Sequence, residues 1–64
     1  MKEKLKELRL VEDKKQREVA ETLGITESAY SNYEQGIRQP SYDILKKICK
    51  YYKVSADYLL DLEL

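Results

Sequence analysis

The chain of 64 residues contains two glycines, Gly24 and Gly36, and each falls where a helical apolar pattern stops. Before Gly24, Val19, Ala20 and Leu23 recur at the spacings of an amphipathic helix that begins at about Gln16. After it, Ile25 leads into Thr26, a good N-cap, and Glu27 places a carboxylate at the positive end of a new helix dipole. That helix in turn stops at Gly36. Lacking a Cβ, glycine is the usual residue for ending a helix in the left-handed conformation. Two short helices must therefore meet across a tight turn, and the rest of the fold has to be built around them.

The flanking segments supply the other walls. Leu5, Leu8 and Glu12 share one side of a lysine-rich helix predicted over about 2–12, with Arg9 at the edge of that stripe. Pro40 closes the loop "IRQP". Ser41 caps a helix over 42–52 whose apolar positions are Ile44, Leu45, Ile48, Cys49 and Tyr52, and Ser55 caps a last helix over 56–62 carrying Ala56, Leu59 and Leu60. With the pair at 16–23 and 27–35, this makes five helices and no strand. At this length only one small core can form, with roughly 60% of the unfolded surface buried. A single all-α domain over 1–64 is expected, with no internal repeat or linker.

Composition narrows the chemistry. The chain has no histidine and one cysteine, which removes disulfides, Cys/His metal sites and histidine acid–base schemes. Cys49 reads as a core thiol in a reducing compartment. No run approaches the ~20 apolar residues of a membrane span, and "MKEKLKEL" lacks the apolar stretch of a signal peptide. A cytoplasmic protein with no membrane association is expected. No nucleophile–base pair, metal set or glycine-rich phosphate loop is present, so neither an enzyme nor a cofactor is expected, and no small-molecule site is evident. The formal net charge is zero, but residues 1–9 sum to +2, 20–37 to −3, 38–53 to +4 and 54–64 to −3. Basic segments flank an acidic middle.

The segment "GITESAYSNYEQG" carries the functional signal. At about 100° per residue, Tyr30 and Tyr33 lie about 60° apart on the gripping side of the third helix, with Ala29 and Glu34 at its edges. Glu27, Ser28, Ser31 and Asn32 fill the opposite arc. If the two central helices cross at Ala20 and Gly24, that arc faces outward as a set of short donors and acceptors. The base edges of a DNA major groove are the kind of surface such a set can match.

This arrangement resembles the helix-turn-helix of the phage-repressor family, which includes the lambdoid repressors, Cro and many small XRE-like bacterial regulators. The resemblance covers about Leu5 to Leu60. The glutamine that opens the family's motif is matched by Gln16, the small crossing residue by Ala20 and the turn glycine by Gly24. The apolar positions fall on Val19, Leu23, Ile25, Tyr30 and Tyr33. The family's "YExG" appears as "YEQG", its "PS" as Pro40 and Ser41, and its closing "VSxDxLL" as "VSADYLL". The chain departs from the pattern at Lys14 and Lys15, where an apolar residue and a Thr or Ser cap are usual, and at Glu27, where a neutral or basic side chain is common.

The resemblance implies a compact five-helix, lambda-repressor-like fold and a sequence-specific DNA-binding regulator. Its third helix would enter the major groove of a palindromic operator, and the protein would bind as a homodimer to half-sites about 34 Å apart. Gln16 is implied as a phosphate contact at a helix start, the alternative being an ordinary surface glutamine. Ser28 and Asn32 are candidate base readers, and Ser31 stands between base and phosphate. Lys15 and Arg38 are candidate phosphate contacts, and Glu27 is a candidate acceptor for a cytosine amino group. Arg9 and Glu34 match a family pair that holds the fold and makes no contact with DNA. The leucines of "DYLLDLEL" exceed what a small core needs, and some are candidates for a dimer contact. The competing reading is a protein-binding module, such as an antitoxin, anti-repressor or assembly domain, with little affinity for DNA.

Overall fold

The computed structural model describes residues 1–60. Five helices follow in order: α1 (Lys2–Val11), α2 (Gln16–Leu23), α3 (Glu27–Gln35), α4 (Tyr42–Tyr52) and α5 (Ala56–Leu59). Among the described residues there is no strand. The first helix stops one residue short of Glu12, which is exposed and serves as its cap. The fifth helix was expected over 56–62, and the part of that span beyond residue 60 lies outside the described residues.

Every helix contributes to one core. Leu5 comes from α1, Val19, Ala20 and Leu23 from α2, Tyr30 from α3, Ile48 and Tyr52 from α4, and Leu59 from α5. Ala20 is buried where α2 packs on α3, and α3 packs in turn on α1. The two buried tyrosines bring polar atoms into this core, and they satisfy each other: the Tyr30 and Tyr52 hydroxyls lie 3.2 Å apart. Burial pushes both phenols above their ordinary titration range. Leu59 is fully buried, so it belongs to the core and is not available for a dimer contact; Leu60 is partly exposed, and Leu62 and Leu64 lie outside the described residues. The Lys4 ammonium closes α1 onto α5, donating to the Tyr58 carbonyl at 3.0 Å and sitting 4.3 Å from the Tyr58 ring centroid.

The first four helices end in the same way. Asp13, Gly24, Gly36 and Lys53 each adopt positive φ. The following N–H in each case bonds a carbonyl five residues back: Lys14 to Arg9, Ile25 to Ala20, Ile37 to Asn32 and Val54 to Cys49, all at 3.0–3.1 Å. This closure satisfies carbonyls that a helix C-terminus would otherwise leave without partners. Glycine makes it at no steric cost in two places, whereas Asp13 and Lys53 adopt the left-handed conformation despite a Cβ.

At their N-termini α3, α4 and α5 are capped by Thr26, Ser41 and Ser55, whose hydroxyls accept from the N–H groups of Ala29, Ile44 and Tyr58. The start of α2 has Lys15 at the capping position, which provides no acceptor. Glu18 compensates in part from the third position of the helix, its carboxylate accepting the Lys15 N–H at 2.9 Å. This is half of a capping box.

Candidate nucleic-acid interface

The site is built on one carboxylate. Glu34, near the end of α3, has a side chain only 3% exposed. Its Oε2 accepts from Arg9 Nε at 2.7 Å and its Oε1 from Arg9 Nη2 at 3.1 Å, the two-pronged geometry that suits a guanidinium. Oε1 also accepts from Gln16 Nε2 at 3.1 Å. Arg9 then uses Nη1 to hold the Lys14 carbonyl at 3.0 Å. One carboxylate therefore joins α1, α3 and the first residue of α2, and Arg9 straps down the loop that leads into α2. Burial opposes the charge on Glu34, but the bonds from Arg9 and Gln16 outweigh it and hold the carboxyl below its ordinary value of 4.5. Among the described residues that are not exposed, no fully buried side-chain nitrogen or oxygen is left without a partner.

Fixing Gln16 and α3 to the same group fixes a surface. Gln16, Glu27, Ser28, Ser31, Asn32 and Gln35 line a shallow concavity of about 370 Å³ between the start of α2 and the outer face of α3. Glu27 and Ser28 are exposed, while Ser31, Asn32 and Gln16 are half-buried in its wall. Five of the seven residues singled out from the sequence as candidates for contact thus share one surface. Lys15 and Arg38 are both exposed and do not line it: Lys15 precedes α2, and Arg38 lies beyond Gly36 in the loop that leaves α3.

Two features of the site were not read from the sequence. The Gln16 amide donates to Glu34, which gives it a place in the buried network as well as on the surface. Gln35 also lines the concavity and donates to Ser31 Oγ at 2.8 Å. Its position, one turn beyond Ser31 on the same face, was the signal available for it. The concavity contains one formal charge, the carboxylate of Glu27, and its other groups are neutral amides and hydroxyls. Such a surface can form hydrogen bonds with a polar edge, and it supplies no positive charge of its own.

The model of the family described as helix-turn-helix matches residues 5–59. The chain belongs to the helix-turn-helix family. Among curated relatives it is similar to the HTH-type transcriptional regulator ImmR of Bacillus subtilis, with 46% identity over 57 residues, covering 89% of this chain and 45% of that protein. It is 45% identical to the uncharacterized HTH-type transcriptional regulator YqaE of the same species over 91% of this chain and 50% of the relative. It is 35% identical to the cryptic phage CTXphi transcriptional repressor RstR of Vibrio cholerae over 80% of this chain and 46% of the relative. The chain spans about half the length of these relatives. No solved structure matches it. Within the helix-turn-helix family frame, α2 and α3 are the two helices of the motif and Gly24 is its turn.

Among the described residues no helix is long and apolar enough to cross a membrane, and no group of three or more Cys, Asp or Glu side chains is placed to hold a metal ion.

Proposed function

We propose that this chain is the DNA-binding part of a cytoplasmic transcriptional regulator, reading the major groove with α3 and acting as a homodimer on a palindromic operator. The observation that carries the reading is the concavity: Gln16, Ser28, Ser31 and Asn32 are gathered on one outward face, and α2 and α3 are locked together behind it by Glu34. A rigid support of this kind keeps short side chains in register with base edges. The names of the relatives, transcriptional regulators and a phage repressor, support the same class.

In this reading Ser28 and Asn32 contact bases, and Asn32 is suited to paired bonds with adenine N6 and N7. Gln16 keeps one amide hydrogen on Glu34 and turns the other to a phosphate at the N-terminus of α2, where backbone N–H groups also point. Lys15 and Arg38, at the two flanks, supply the positive charge that the concavity lacks. Glu27 accepts from a cytosine amino group. The dimer would place two α3 helices in successive major grooves about 34 Å apart.

The test is binding to duplex DNA over a salt series. A dimer that neutralises phosphates with Lys15 and Arg38 of both protomers loses affinity steeply as salt rises, and removing either side chain lowers that slope by about two, one for each protomer. If no salt-dependent complex forms with any duplex, the DNA reading fails and a protein-binding module takes its place.

A further inference from the structure

Thr22 and Ser31 each occupy a helix interior and they spend their hydroxyl groups differently. Thr22 Oγ1 donates to the Glu18 carbonyl one turn back, at 3.1 Å, the common arrangement for a helical hydroxyl. Ser31 does not. Its oxygen accepts from Gln35 Nε2, one turn ahead, at 2.8 Å, and its own proton has no acceptor within the chain among the described residues. Gln35 is exposed, and its bond to Ser31 is made at the surface. Both residues line the concavity.

A serine hydroxyl ordinarily rotates to donate or accept as its partner requires. At Ser31 that choice is restricted. The amide hydrogen from Gln35 lies against the oxygen, so the O–H bond turns away from it, and the loaded oxygen is a poorer acceptor and its hydrogen a better donor. In a major groove the acceptors are purine N7, guanine O6 and thymine O4, whereas the cytosine and adenine amino groups are donors.

We propose that Gln35 is a positioning residue that occupies one of the two lone pairs of Ser31 and biases its hydroxyl toward donating, so that Ser31 prefers an acceptor edge and disfavours cytosine at one position of each half-site. The proposal rests on the DNA-binding reading. It also gives Gln35 a part in specificity through Ser31, where sequence alone left Ser31 open between base and phosphate.

The experiment compares wild type, Ser31→Ala, Gln35→Met and the double variant on a half-site recovered from a random duplex pool, with all four bases placed in turn at each position. Wild type should disfavour cytosine at one position by about five- to tenfold, the scale of one hydrogen bond lost. Gln35→Met, of similar length but without the amide, should reduce that discrimination to about twofold or less while leaving the thermal melt and the other positions unchanged. In the Ser31→Ala background it should have no further effect. An unchanged profile in Gln35→Met, an equal loss on every sequence, or an added effect in the absence of Ser31 would each overturn the proposal, the second by showing a plain phosphate contact. Absence of any salt-dependent complex with duplex DNA would overturn the DNA-binding reading as well, whereas a complex without sequence preference would overturn the proposal and leave DNA binding standing, so the two failures are distinguishable.

Discussion

Glu34 is the group whose removal should disturb the most. It accepts three hydrogen bonds, two from Arg9 and one from Gln16, and it retains 3% side-chain exposure against 12% for Arg9. Replacing it leaves the guanidinium facing the Lys14 carbonyl alone and the Gln16 amide without its partner. Truncating one member of a buried ion pair costs about 3 to 5 kcal/mol. The residual contact of Arg9 with water favours the lower end, about 3 kcal/mol. A domain of this size is stabilised by only about 3 to 10 kcal/mol in total, so the loss should lower Tm by about 12 °C or more. Urea melts of wild type, Arg9→Met, Glu34→Gln and the double variant separate the pair from its surroundings. The double variant should be no less stable than the worse single one, with a coupling of about 2 kcal/mol. Strictly additive losses would refute the argument. Linkage gives an independent check. The folded carboxyl titrates below 4.5, so its contribution is present above that pH and is lost as pH falls through the folded value. The wild-type melt should weaken on acidification below about 4.5, and the Glu34→Gln melt should lack that component.

Three further outcomes are expected. Glu27→Gln should destabilise the unbound protein by about 0.3 to 1 kcal/mol through the helix dipole and yet tighten binding to random duplex DNA; no change on either selected or random DNA would place Glu27 away from the groove. Lys53→Gly relieves a left-handed residue at φ 57 and should gain up to about 1 kcal/mol in a thermal melt, whereas Gly24→Ala at φ 75 should lose about 1 kcal/mol or more although nothing lies within 4 Å of the added methyl. Tyr30 and Tyr52 are held neutral by burial, so their contribution is complete below about pH 10 and is lost as pH rises beyond it; tyrosinate absorbance of these two residues should appear together with loss of helix in an alkaline titration, and ionisation of either without unfolding would contradict the packing described.

The order of the five helices was legible because each carries its own apolar period and most carry a local start or stop signal. Gly24, Gly36, Thr26, Ser41 and Ser55 act on their nearest backbone neighbours, which is information a linear pattern contains. The ends at Asp13 and Lys53 were less legible, since neither residue prefers positive φ strongly enough to mark a stop; the packing and the closing hydrogen bond impose it. The start of α2 was read as having lost its cap, and the compensating acceptor at Glu18 became visible only with the backbone in place. The edge positions of Arg9 and Glu34 were readable from two helical wheels, but the sharing of Glu34 with Gln16 depends on the distance between α2 and α3, which no periodicity encodes. Gln35 is illegible for a simpler reason: it adjoins the terminating glycine and resembles a solvated end residue, and only the fold shows its bond to Ser31.

The central claim is that the outer face of α3 reads bases and that Asn32 is one of the readers. The measurement that tests it most directly is selection from a random duplex pool by wild type and by Asn32→Ala under the same salt. Wild type should recover a palindrome with half-site centres about ten base pairs apart. The variant should bind that site about 1 to 3 kcal/mol more weakly, lose preference at one position of each half-site, and keep its affinity for random DNA. A pool that returns no shared sequence, or a variant that recovers the same palindrome with the same base preferences, would contradict the account.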